Sequence, residues 1–286
     1  MAKSKFMFCY LRRINYFCQM MKMMRIIVIG LFSVLLLSSC GEYQKALKSD
    51  DAKVKYTMAE DLYNKKQYRK AIRLFEQALP HYVGKPQGER LVYMFADSYY
   101  KTKQYSLATY QYERMQKLYP KSQKVEEAAF LEAKTLYLET PIYSVDQTAT
   151  YKAIEKLQYF LDRYPSGEYS IEANEMTLEL LIRLQRKDFE IAKQYSRIRD
   201  YQAAIKALDN FLSDNPGSVF KEEALYIRLH SAYEWAINSV EEKKASRLKM
   251  AKEAYDNLLR AFPETQYRKE AEKMLQKIET SLKEMI

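Results

Sequence analysis

Apolar and small residues recur along this chain at steps of four and then three. Ala71, Phe75 and Ala78 set the pattern. It returns as Ala108, Tyr112 and Met115, as Ala153, Leu157 and Phe160, as Ala204, Leu208 and Phe211, and as Ala251, Tyr255 and Leu258. Positions i, i+4 and i+7 share one face of an α-helix. The small residue that opens each face lets a neighbouring helix approach closely. In the last four copies a proline follows five residues on: Pro120, Pro165, Pro216 and Pro263. Proline has no N–H and clashes with the preceding turn, so it ends a helix. Hydroxyl residues follow within two positions, at Ser122, Ser166, Ser218 and Thr265. They are the expected N-caps of the next helix, accepting its orphan N–H groups.

The helix before each of these repeats as well. Ala59, Ala96, Ala133 and Ala192 are its small positions, with Ala232 as the fifth. Tyr68, Tyr105 and Tyr201 stand near the turn inside a pair, three residues before the second helix's alanine. The first two units are 37 residues apart. Five such units in order, over residues 53–263, resemble the tetratricopeptide repeat, a helix-turn-helix of about 34 residues. The predicted fold class is therefore all-α: a tetratricopeptide-repeat solenoid of about five helix-turn-helix units with a C-terminal capping helix. After the second unit the spacing of second helices lengthens to 45, 51 and 47 residues. One source is a loop that begins Pro141-Ile142-Tyr143-Ser144. The other is 170–198, which holds no proline or glycine and reads as one long helix. That helix is expected to join an N-terminal group of units, 53–169, to a C-terminal group within 170–286. Ala271, Leu275, Ile278 and Leu282 share a face of the capping helix at 266–286, which covers the exposed end of a solenoid.

Ahead of the repeats, Lys22 and Arg25 precede an apolar run from Ile26 to Leu37, and Ser38-Ser39-Cys40 follows it. This is the layout of a secretory signal over residues 1–39. The run is too short to span a bilayer, which needs roughly twenty residues. Leu37-Ser38-Ser39-Cys40 resembles the lipobox of bacterial lipoproteins. The resemblance implies cleavage before Cys40, acylation (such as palmitate) of that residue, and a linker over 40–52. Two or more acyl chains, at about 0.8 kcal/mol per buried CH₂, make a stable anchor. An ordinary signal peptide with a chance cysteine is the alternative. Residues 1–23 are unusual ahead of a signal, and a true start at Met21, Met23 or Met24 would account for them.

Composition narrows the chemistry. Cysteine occurs at 9, 18 and 40, so cleavage would leave Cys40 alone, without a disulfide or a cysteine metal site. The net charge of +10 includes Lys3, Lys5, Arg12, Arg13, Lys22 and Arg25 within 1–39, where no acid occurs. The remaining +4 is not a nucleic-acid footprint. His81 and His230 are the only histidines and lack ligand spacing, and Gly84 and Gly88 merely flank Pro86 in a turn. Adjacent acids such as Asp50-Asp51, Glu126-Glu127, Glu222-Glu223 and Glu241-Glu242 point apart on a helix and cannot share a proton. The expectation is a binding protein with no catalytic residue, no metal and no cofactor.

Repeat phase also predicts a binding face. In a tetratricopeptide unit the first helix lines the inner surface, at positions three before, one after and four after its small residue. These are Tyr56, Glu60 and Tyr63 in unit one, Tyr93, Asp97 and Tyr100 in unit two, and Phe130, Lys134 and Tyr137 in unit three. Aromatic, charge, aromatic thus occurs three times running; Phe189, Lys193 and Ser196 break it in unit four. Such a ladder suits an extended peptide, because tyrosine offers a large apolar face and a hydroxyl at low entropic cost. The same tyrosines could instead pack between helices as core.

A lipobox followed by five such units is similar to the BamD family, the lipoprotein subunit of the outer-membrane β-barrel assembly machinery. Arg163-Tyr164-Pro165-Ser166-Gly167-Glu168-Tyr169, the long helix with Ala192-Lys193-Gln194-Tyr195, and Tyr201-Gln202-Ala203-Ala204-Ile205 running to Asn215-Pro216 carry the likeness. Residues 236–250 fit most loosely. The resemblance implies a scaffold tethered to the outer membrane and facing the periplasm. Its N-terminal units would receive unfolded outer-membrane β-barrel proteins, and its C-terminal half would dock the periplasmic domains of the barrel-forming subunit. Two rivals stand beside it. A glycan-binding surface lipoprotein would be richer in tryptophan than a chain with Trp235 alone, and a cell-envelope hydrolase would need a catalytic dyad.

Overall fold

The computed structural model describes residues 41–285; the signal segment and Cys40 lie outside them. The described residues are helical throughout, with no strand. After a short helical stretch at 41–48 come α1 (Ala52–Asn64), α2 (Tyr68–Tyr82), α3 (Pro86–Lys101), α4 (Tyr105–Leu118), α5 (Val125–Leu138), α6 (Thr148–Arg163), α7 (Ser170–Arg197), α8 (Tyr201–Asp214), α9 (Lys221–Ile237), α10 (Glu241–Ala261) and α11 (Arg268–Glu284). The chain divides into two compact units, one ending at Ala128 and one beginning at Ala129, so the division falls inside α5.

All ten predicted small positions are buried, from Ala59 and Ala71 through Ala232 and Ala251. At these points a side chain of one methyl group leaves room for a neighbouring helix to pack closely. The turns inside three pairs are alike. Lys66, Lys103 and Arg199 adopt left-handed φ of 57, 61 and 65°. The next N–H then closes a six-to-one bond: Gln67 to the Leu62 carbonyl (2.8 Å), Gln104 to Tyr99 (2.9 Å) and Asp200 to Tyr195 (3.0 Å). This satisfies carbonyls that the helix end leaves orphaned.

The turns between pairs correct one expectation. Ser122, Ser218 and Thr265 do accept backbone N–H groups, from Lys124 (2.9 Å), Phe220 (3.2 Å) and Tyr267 (3.3 Å). They lie two residues upstream of the helix boundary, and the N-caps of α7, α9 and α11 are Tyr169, Phe220 and Tyr267. Ser166 is exposed and caps nothing, because Gly167 holds the equivalent position there. In unit one, which lacks the phased proline, Gly84 (φ 79°) makes the turn and Pro86 opens α3. Gly88 has a stricter role. A Cβ there would stand 2.1 Å from the Tyr82 carbonyl oxygen and 2.3 Å from the Tyr119 hydroxyl.

In the second unit α7 serves two cores. Ala173, Met176 and Leu180 in its first half join Phe130, Ala133, Leu157 and Phe160, whereas Phe189 and Ala192 in its second half join Leu208, Phe211 and Ala224. In α10 the buried face is Ala251, Ala254 and Leu258, with Tyr255 turned half outward. In α11, Met274 is buried with Ala271 and Ile278, and Leu275 is half-buried. The residues after Cys40 are not a bare linker: 41–48 is helical, with Tyr43 and Ala46 buried and Lys70 of α2 lying 5.6 Å from the Tyr43 ring centre.

Candidate peptide-binding face

In the first unit, first-helix positions bond across to the next first helix. The Tyr63 hydroxyl of α1 donates to Asp97 Oδ2 of α3 at 2.7 Å, 34 residues on. The Tyr93 hydroxyl of α3 donates to Glu127 Oε1 of α5 at 2.7 Å, again 34 residues on. Lys124 Nζ holds the other Glu127 oxygen at 2.6 Å and lies 5.3 Å over the Tyr93 ring. Glu60 pairs with Arg90, and Lys101 stands 3.8 Å from Asp97. Burial, and then the bond to the carboxylate, pushes the Tyr63 and Tyr93 phenols well above their ordinary value of 10. Burial would raise Glu127, but hydrogen bonds from Lys124 and Tyr93 outweigh it and hold the carboxyl below 4.5.

The rings are half-sunk. Tyr56 packs on Tyr82 (centroids 5.1 Å), Tyr63 meets Tyr68 edge-on (5.6 Å), and Tyr100 meets Tyr105 (6.0 Å). Beneath Tyr93 lies Tyr112, edge-on at 6.4 Å and wholly buried, its hydroxyl without a hydrogen-bond partner. Burial, with Asp97, Tyr93 and Glu127 close by, drives that phenol far upward, so it stays neutral. Tyr56, Glu60, Tyr63, Tyr93 and Tyr100 are thus neither free rungs nor dry core. Asp97 is 6 % exposed and works as an acceptor inside the face.

The second unit repeats the register with different chemistry. Phe130, expected on the inner surface, is 2 % exposed and belongs to the core. It stacks on Tyr169 at 4.7 Å and 11° and packs on Phe160 at 5.7 Å. Phe189, one repeat position later, stacks on Phe220 in the same way (5.3 Å, 9°). The aromatic N-cap of the next first helix closes over the ring in both cases. Lys134 reaches Glu172 at 2.6 Å, Lys193 pairs with Glu223, and the Tyr137 hydroxyl donates to Glu179. Even Ser196, where the aromatic pattern lapses, bonds across to Ser231 at 3.0 Å.

Sequence reading located these positions but not their partners. The signal was present: the acids stand one 34-residue period after the tyrosines. It also missed how the 139–147 insertion is held. Arg183 of α7 donates to Thr140 Oγ1 (2.6 Å) and the Pro141 carbonyl (3.0 Å), Lys187 to the Val145 carbonyl (2.7 Å), and Arg186 lies over the Tyr143 ring at 4.4 Å. A cleft of about 430 Å³ opens beside them, lined by Ile142, Tyr143, Ile182 and Phe220. His81 and His230 gather no companions, and among the described residues no group of acids, histidines or cysteines could hold a metal. No described helix is long and apolar enough to cross a membrane. Cys40, the expected lipidation site, lies outside the described residues.

Comparison with known proteins gives one decisive match. Solved structures with similar backbones include the nearly identical TPR-like repeats of a Podosopora anserina kinesin light chain, 14 % identical over 80 % of this chain and 92 % of that one. The TM-score is 0.30, too low to carry an argument. No curated protein matches. A family profile described as YfiO, outer membrane lipoprotein, matches residues 48–207 and 197–285. With nearly all of the repeat region covered, the chain belongs to the YfiO family of outer membrane lipoproteins, the BamD-like family.

Proposed function

We propose that this protein is the lipid-anchored, periplasm-facing scaffold of a β-barrel assembly machinery. It takes up unfolded outer-membrane proteins on the first-helix face of the N-terminal repeats and holds the periplasmic domains of the barrel-forming subunit with its C-terminal half. The activity is binding and positioning; no side chain has to make or break a bond.

The observation that supports this reading is the pinned tyrosine face. Tyr63 and Tyr93 each have the hydroxyl tied to a carboxylate on the next first helix and the ring half-exposed. Rings fixed this way lose little entropy on binding, and preorganisation of that kind supports affinity. A strand-like segment ending in aromatic residues can lay its rings against them. Tethering through Cys40 would confine the scaffold near its partner and raise its effective concentration.

Affinity capture from detergent-solubilised membranes tests the assignment. Co-purification of a large β-barrel protein with periplasmic repeats is the expected result, and retention of glycan alone refutes it. For the face itself, Tyr93→Ala with Tyr100→Ala should weaken capture of an unfolded barrel substrate while circular dichroism stays helical. Undiminished capture by a folded double variant removes the face from the proposal. Should that variant unfold, Tyr100→Ser alone provides the same comparison.

A further inference from the structure

The first residues after Cys40 and the first turns of α2 form one basic surface. Residues 41–48 and 65–73 together carry Lys45, Lys48, Lys65, Lys66, Arg69, Lys70 and Arg73, all exposed, against the single acid Glu42. Lys65 is engaged by Asp61 at 2.8 Å. From Leu62 to Phe75 the chain has no acid. Helix stability does not explain Arg69, Lys70 and Arg73 of α2. Cations at a helix N-terminus oppose its dipole, and α2 has no acid in its first turn.

The helical stretch at 41–48 joins the two segments. Tyr43 and Ala46 are buried, and Lys70 Nζ sits 5.6 Å from the centre of the Tyr43 ring. Tyr43 stands three residue steps after Cys40, with only Gly41 and Glu42 between them. Even fully extended these steps span roughly 11 Å, comparable to the Debye length of about 8 Å at physiological ionic strength. An acyl chain on Cys40 would therefore leave no slack. It would bring Lys66, Arg69, Lys70 and Arg73 within the range over which an anionic leaflet attracts basic side chains.

We propose that unit one lies directly on anionic lipid headgroups, through the surface that the 41–48 helix and the first turns of α2 share. This rests on the reading of Cys40 as the acylated residue. The tether is then an orienting strut, and the binding face is presented at a fixed height above the bilayer. An acidic protein segment is the competing occupant. The short covalent reach from Cys40 favours the bilayer, because the anchor brings lipid to this surface whatever else is present.

Amine-reactive labelling, read by mass spectrometry on the acylated mature protein in vesicles, tests the proposal. Phosphatidylcholine vesicles are compared with vesicles that also contain phosphatidylglycerol. Lys66 and Lys70 should label several-fold more slowly on the anionic vesicles, whereas the exposed Lys249 of the second compact unit should not change. High salt should abolish the difference. Arg69→Gln with Arg73→Gln should reduce it, and so should a flexible spacer inserted between Cys40 and Gly41, which leaves every repeat intact. Equal labelling on both vesicles, by protein that floats with them, overturns the proposal and leaves the anchor standing. Protection that requires an added acidic peptide also overturns it. Failure to float with either vesicle removes the anchor itself, and this inference with it.

Discussion

Tyr93 and Phe130 occupy the same repeat position, one in each unit, and end at different depths. Tyr93 keeps its ring half-exposed because its hydroxyl is held by Glu127 on the next first helix. Phe130 has no hydroxyl to place, and Tyr169 at the next N-cap covers it. Repeat phase therefore fixes the direction of a side chain but not its depth. Depth depends on whether the residue carries a polar atom and on what the following helix puts above it. The first unit gained a surface of anchored aromatics from this difference, and the second gained core.

The strongest way to break the comparison is Phe130→Ala. It empties a site between Phe160 and Tyr169 and should cost about 3–5 kcal/mol in chemical denaturation, as large core truncations do. Phe130→Tyr asks whether a hydroxyl alone can lift the ring. Sunk among Phe160 and Tyr169, it should find no acceptor and cost about 1–3 kcal/mol. If instead stability is unchanged, the position tolerates either residue and depth is decided elsewhere.

Tyr93→Phe is the reverse exchange, and pH sharpens it. The Glu127 carboxyl is held below 4.5, so its contribution is full above 4.5 and is lost as pH falls through the lowered value. The Tyr93 phenol is raised above 10, so its contribution is full below pH 10 and is lost as pH rises beyond it. Tyr93→Phe should cost about 1 kcal/mol at neutral pH and flatten both limbs of the stability–pH curve. An unchanged acid limb would mean that Lys124 alone sets Glu127.

The smallest effect concerns a feature the units share. Lys103 and Arg199 hold the same left-handed turn, at φ 61 and 65°. Replacing either by glycine should stabilise by up to about 1 kcal/mol, since glycine carries no Cβ penalty there. A loss at both positions would show that the side chains, rather than the turns, matter.

The helix pairs, the buried alanines and the length of α7 were legible in the chain because they follow from local rules. Alternation at four and three marks a face. Pro120, Pro165, Pro216 and Pro263 each follow a helix end, although α2 carries Pro80 in its last turn, and a stretch without proline or glycine continues as α7. Ten alanines predicted as contacts are all buried. The candidate face was legible only as a set of directions. Repeat phase singled out Tyr63, Tyr93 and Tyr137, but their carboxylate partners Asp97, Glu127 and Glu179 come from the first helix of the following pair.

What the sequence determined by itself was the repeating unit: which residues form each helix, where it stops and which small residue sets the close approach. These depend on neighbours within a few positions along one chain. Tertiary structure alone decided which aromatic sank and which stayed at the surface, that Gly88 must admit the Tyr119 hydroxyl, and that the residues after Cys40 dock beside Lys70. Each of these depends on which atoms arrive from another helix, and a pattern read along a single strand of sequence carries no record of that distance.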